Sequence, residues 1–204
     1  MSSPPAPEPT RPPTPAEALV DVVTEIERHV GVTGWDQPPR LYALVDTGDL
    51  VAREPALAGQ LGLDAPGGLA PLTPVEQESL PPGPGGSTDL SDVLAVVAWP
   101  AEVLGCALAL EVMWGRGADD EPVTPADAAG EGRLAVGVLR DGARAAVLHV
   151  RPRPGEDGNG DLLSGPDLAE GLADALDATL QEADGAQEEG PPARAQETPP
   201  APRD

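Results

Sequence analysis

The sequence predicts an α+β fold: a single domain, mostly antiparallel sheet of about four strands, long N- and C-terminal helices packed on it, and disordered tails. Three observations predict it. Bulky and small residues alternate from Gly105 to Trp114, the period of a strand. An Asp141-Gly142 dipeptide separates two apolar runs, the strongest short hairpin signal. Apolar residues recur at helical spacing near both ends of the chain, around Leu19 to Val30 and Leu168 to Leu180. Helices flanking a run of strands is the element order of an α+β domain, with the helices expected on one face of the sheet.

Residues 1–13 form a Pro-rich tail with too little apolar area to fold, and residues 183–204 form an acidic, Pro-rich one. The domain is expected over 14–182. Its first helix starts at Thr14-Pro15-Ala16-Glu17, a cap, a proline at the first position and a glutamate able to bond back. Gly31 and Gly34 bracket its end. Pro38 and Pro39 then hold the chain extended, Leu41 to Val45 reads as a short buried strand, and Asp46 or Thr47 caps a helix through Arg53. A small helix follows from Leu57 to Leu61. Thr73-Pro74-Val75-Glu76 repeats the cap-Pro-x-Glu signal and predicts a helix to about Leu80; Asp89 caps another through Val97, stopped by Pro100. A two-residue hairpin loop would set Val138 opposite Ala145, Val136 opposite Val147 and Leu134 opposite His149. The face of small residues, with Gly137 and Ala135, is where a helix can come close. Ser164-Gly165-Pro166-Asp167 caps the last helix.

Composition narrows the function classes. With no Phe and 2% aromatics, the core must be Leu, Val and Ala. All 12 basic residues are Arg, and the formal charge is -23, which argues against nucleic-acid phosphates and anionic membranes and suits a basic partner. One Cys forbids an internal disulfide and fits a reducing cytoplasm. No apolar run approaches the roughly 18 residues of a membrane span, and no signal peptide is visible.

Candidate chemistry is thin. Asp157-Gly158-Asn159-Gly160-Asp161 begins like a calcium loop, but Leu162 and Leu168 stand where glycine and glutamate are required, so a plain loop is expected. Glu25 and His29 lie four apart on the first helix, where an ion pair explains them and two ligands do not make a zinc site. Cys106 reads as a small core residue, and a Cys106–His149 dyad lacks any basic setting for the thiol. No Gly-rich phosphate loop, nucleophile elbow, HExxH or CxxC occurs. Neither cofactor nor metal is expected.

Trp35 to Asp46, Ala98-Trp99-Pro100 with Gly105 to Leu108, Val136 to Gly142, and Leu163 to Leu168 together resemble an uncharacterised actinobacterial family of small acidic cytosolic proteins. The resemblance covers about residues 15–182 and implies one domain with variable tails, without an assigned chemistry. The element order also resembles small secretion-chaperone and YbjN-like domains, which implies dimerisation or the holding of other chains.

The sequence therefore points to a non-catalytic cytoplasmic domain that binds a protein partner or a second copy of itself, with no nucleic acid and no membrane. The expected surface patch is Trp35, Asp36, Gln37, Arg40, Tyr42, Trp99 and Glu102, against the plainer alternative that Trp35 covers the core edge and Arg40 pairs with an acid. Two other classes remain. An enzyme would use carboxylates such as Asp36, Asp46 or Glu111 with Arg40 as an anion clamp; an acidic nucleic-acid mimic would array its charges in one stripe.

Overall fold

Thr14 opens the first helix with the expected reciprocal bonds. Its hydroxyl accepts the Glu17 amide at 3.3 Å, and the Glu17 carboxylate accepts the Thr14 amide at 2.7 Å. Helix α1 (Pro15–Val32) then buries Leu19, Val22, Val23, Ile26 and Val30 on one stripe. The computed structural model describes residues 11–63, 70–77, 90–114, 130–152 and 160–188. The Asp157–Asn159 stretch and the Asp89 cap lie outside the described residues.

After α1 come β1 (Arg40–Asp46), α2 (Thr47–Arg53), α3 (Pro55–Gln60), β2 (Leu72–Glu76), α4 (Leu90–Leu94) and β3 (Val103–Trp114). Then follow β4 (Gly130–Leu139), β5 (Arg144–Val150), β6 (Leu162–Ser164) and α5 (Glu170–Glu188), which runs past residue 182. The Asp46 carboxylate accepts the Asp49 amide at 2.8 Å, the cap expected for α2. The strands make one antiparallel sheet in the order β2-β1-β3-β4-β5-β6.

That corrects the expectation of about four strands with both helices on one face: the sheet has six strands, and α1 and α5 lie on opposite faces. Alternation along the strands separates two cores. Under α1 lie Tyr42, Leu44, Ala107, Ala109, Ala135, Ala145 and Val147; under α5 and α4 lie Leu41, Trp99, Cys106, Leu108, Leu134, Val136, Val138 and Leu148. Both faces need cover because both are apolar, so the domain is three layers deep.

The two extra strands are the edges. Thr73-Pro74-Val75-Glu76 pairs with β1 and is no helix. The Gln77 amide bonds back to Leu41 O at 2.9 Å, so by alternation the Pro74 nitrogen faces away from β1, where a missing donor is harmless. The Thr73 hydroxyl, which would have capped a helix, is buried against the Thr47 hydroxyl at 2.7 Å. Ser164, expected in the cap of the last helix, lies instead with Leu162 and Leu163 in a strand that pairs with β5; Gly165 N bonds Ala146 O at 3.0 Å, and α5 starts only at Glu170.

The hairpin also turns one residue earlier along β4 than expected. Gly137 faces Ala145, Val136 faces Ala146, Ala135 faces Val147 and Arg133 faces His149. Arg140, Asp141 and Gly142 form a three-residue loop, with Gly142 at φ 88°, the left-handed position that such loops reserve for glycine. A one-residue shift turns every side chain of β5 to the other face. Cys106 and His149 consequently lie on opposite faces, which removes the dyad.

The small face does carry a helix. A Cβ on Gly137 would stand 2.6 Å from Val23 Cγ2 and 3.1 Å from Leu19 Cδ1. Gly137→Ala should therefore cost about 1–3 kcal/mol in a urea titration, by lifting α1 off β4. Gly59→Ala, with nothing within 4 Å of the added methyl on α3, should be neutral or stabilising by up to about 1 kcal/mol.

Candidate binding surface at the end of the sheet

Helix α1 is shorter than the sheet it covers. The antiparallel register sets Glu111, Arg133, His149 and Leu162 in one cross-strand row near its end. The next row holds Met113 and Glu131, with Arg151 N bonded to Glu131 O at 2.8 Å. Side chains directly opposite in a sheet share a face, so both rows lie on the α1 side, at and beyond its last turn. The arm between α1 and β1 closes over them.

Arg133 is the centre of this closure. It is 2% exposed, a charge that is almost never buried without partners. Its Nε donates to Glu27 Oε1 at 3.4 Å and its Nη1 donates to Gly34 O at 3.0 Å. Glu27, 5% exposed, also meets His149 Nδ1 at 2.8 Å. The Arg133 guanidinium lies 4.6 Å from the Trp35 ring centroid and that of Arg151 lies 5.2 Å from it. The His149 ring meets Trp35 edge-on at 6.0 Å. A desolvated cation–π contact such as that of Arg133 contributes up to about 2 kcal/mol. Gly31 passes beside the guanidinium, where a Cβ would stand in ordinary van der Waals contact at 3.6 Å.

The rim is ionic. Arg151 Nη1 bonds Glu131 at 2.8 Å, and the two guanidinium nitrogens bond the Asp36 carboxylate at 3.3 Å each. Asp36 reaches it from φ 65°, a left-handed turn that Asp tolerates better than most residues. Glu111 accepts the Gln37 amide at 3.0 Å and so pins the arm to β3. Around this polar centre Val32 is 84% exposed, Met113 45% and Leu162 54%.

The residues expected to form one patch fall into separate places. Trp35, Asp36 and Gln37 come together here. Arg40 turns to Glu76 at 3.5 Å and Gln37 at 3.4 Å, the pairing with an acid weighed from the sequence. Tyr42 is buried under α1. Trp99 is buried under α5, its Nε1 donating to the Thr179 hydroxyl at 2.9 Å. Glu102 lies near Asp46 and Asp49, at the other end of β1. The three carboxylates of the enzyme alternative all have structural partners: Asp46 caps α2, Asp36 pairs with Arg151, and Glu111 holds the arm.

The sequence reading missed Glu27, Arg133 and Arg151. The one available signal was an arginine within a strand whose buried residues are otherwise small and apolar. Arg140 escaped notice as a brace: it donates to Val103 O and Leu180 O at 2.8 Å each, tying the start of β3 to α5. Cys106 lies in the core as expected, and burial, opposed by a hydrogen bond with Thr179, pushes its thiol up to about 12. Among the described residues no group of three His, Cys, Asp or Glu gathers to hold a metal, and no helix is long and apolar enough to cross a membrane.

Fold and surface define a three-layer domain whose six-stranded antiparallel sheet is closed at one end by a tryptophan-bearing arm. The chain belongs to the PPA1309-like protein family, whose sequence signature covers residues 19–181. No curated protein and no solved structure matches it.

Removing one partner of a buried ion pair strands the other charge. Glu27→Gln should cost about 3–5 kcal/mol by chemical denaturation, while Asp21→Asn on the exposed side of α1 should stay within about 0.5 kcal/mol of wild type. The Cys106 thiol should resist a thiol reagent at pH 8 in the native protein and take one equivalent after urea. Because the folded state raises its pKa, the stability that the neutral thiol contributes is complete below the unfolded thiol's pKa. It is lost as pH rises toward about 12.

Proposed function

We propose that this is a non-catalytic cytoplasmic domain that binds another protein through the arm end of its sheet. The observation that carries it is Trp35, fixed against the guanidinium groups of Arg133 and Arg151, with Val32, Met113 and Leu162 exposed around it. A fixed aromatic ring costs little entropy to dock, and Trp, Arg and Met are enriched at the centres of protein interfaces. The charges beside it are engaged with one another, as in a recognition surface built for shape. A second copy of this chain is the less suited occupant, since two molecules of charge -23 repel. A basic protein presenting an apolar anchor suits both the patch and the surrounding field.

A photo-crosslinking residue placed at Val32 or Leu162, in cells of the source organism, should yield adducts with a basic protein. The same residue at Asp21 should yield none, and Trp35→Ala should abolish the adducts. Adducts of twice the chain mass would instead make the patch a self-interface. Equal labelling from Asp21 would remove it from consideration.

A further inference from the structure

A second feature lies on the same face of the sheet, toward its other edge. A cleft of about 380 Å³ runs between α1, β1, β2 and the end of α3. Its volume is that of a small-ligand site. Ile26, Leu61, Leu63 and Leu72 give it apolar walls. Glu25 and His29, one helical turn apart on α1, stand on one side, and Glu76 on β2 on the other.

Tyr42 lines this cleft and is only 3% exposed, yet its hydroxyl has no hydrogen-bond partner. Buried polar atoms are nearly always satisfied, so one that is not asks for a partner the free protein does not supply. Arg40 and Glu76 lie close enough beside the hydroxyl to act on its charge, but neither meets it in full hydrogen-bond geometry. Burial first, then the Glu76 charge, pushes its pKa up to about 12, so it remains a neutral phenol able to accept and donate. Two carboxylates in the lining disfavour an anion. Arg40, the nearby cation, is engaged with Glu76 at 3.5 Å and with Gln37 at 3.4 Å. The Thr73 hydroxyl is taken by Thr47.

We propose that this cleft binds a small primary amine with an apolar body. The ammonium would be held by Glu25, Glu76 and the Tyr42 hydroxyl, and the hydrocarbon laid on Ile26, Leu61, Leu63 and Leu72. The negative field of the whole chain draws cations toward it. Acceptors at the polar end and leucines along the wall select for an amine over both a bare cation and a neutral hydrocarbon.

Phenethylamine is a suitable probe, with 3-phenylpropanoate and 2-phenylethanol as charge-reversed and neutral controls on the same ring. Titrations of the full chain followed by ¹H–¹⁵N correlation spectra should show the amine shifting amides of residues 25–29, 42, 72, 73, 75 and 76 at millimolar concentration. The two controls should leave those amides in place. Tyr42→Phe should weaken the amine by about tenfold, the loss of one hydrogen bond. Its thermal midpoint should be unchanged or higher, because the substitution removes an unpartnered buried hydroxyl and leaves the packing intact. Glu25→Gln should weaken binding while leaving the midpoint near wild type. The proposal is overturned if the carboxylate binds as tightly as the amine, if Tyr42→Phe binds the amine unchanged, or if no cleft amide moves.

Discussion

A guanidinium sealed beneath a helix end has to be answered by its surroundings, and the answer given to Arg133 shapes one whole end of this molecule. Glu27 supplies the charge, Gly34 a carbonyl and Trp35 a ring face. Each of these residues lies on α1 or on the arm that follows it. The pair therefore joins the C-terminal half of α1 to β4 and sets where the chain goes next. A buried ion pair is often no more stabilising than well-packed apolar residues of the same volume, so its value here is directional. It decides where Trp35 sits.

The same end shows how packing and recognition are linked. The body of the sheet under α1 is lined by Gly137, Ala107, Ala109, Ala135 and Ala145, so the helix lies close and buries its valines and leucines. Past the helix end the residue types change to Glu111, Arg133, His149, Glu131 and Arg151. A closely packed helix and an ionic, tryptophan-covered end are two parts of one face, and the change comes where α1 stops. On the opposite face Arg140 and Thr179 do the corresponding work by tying carbonyls, Trp99 and the Cys106 thiol under α5.

Much of this was legible in the residues. The Thr14 box, the alternation through β3, the Asp46 cap and the small helix-bearing face follow from local rules. Thr73-Pro74-Val75-Glu76 shows where such rules stop. It carries the same tetrad as Thr14-Pro15-Ala16-Glu17, but Pro81 and Pro82 follow so closely that a helix could not repay its nucleation. An open edge of β1 offers its backbone better partners. Strand β6 is three residues long, too short for any period to show. The hairpin slip turned on whether Gly142 takes the left-handed position in a three-residue loop, which an Asp-Gly pair alone does not decide. The Glu27–Arg133–His149 cluster joins residues more than a hundred positions apart, and spacing carries no trace of that.

If the buried pair directs the arm more than it stabilises the fold, replacing both partners at once separates the two roles. Hydrogen exchange on the Glu27→Leu, Arg133→Met double variant is the direct measurement. Amides of β3, β4 and β5 should keep wild-type protection, while those of residues 33–37, including the Gln37 amide now bonded to Glu111, should exchange much faster. Unchanged protection in the arm would contradict the account, as would loss of protection across the whole sheet.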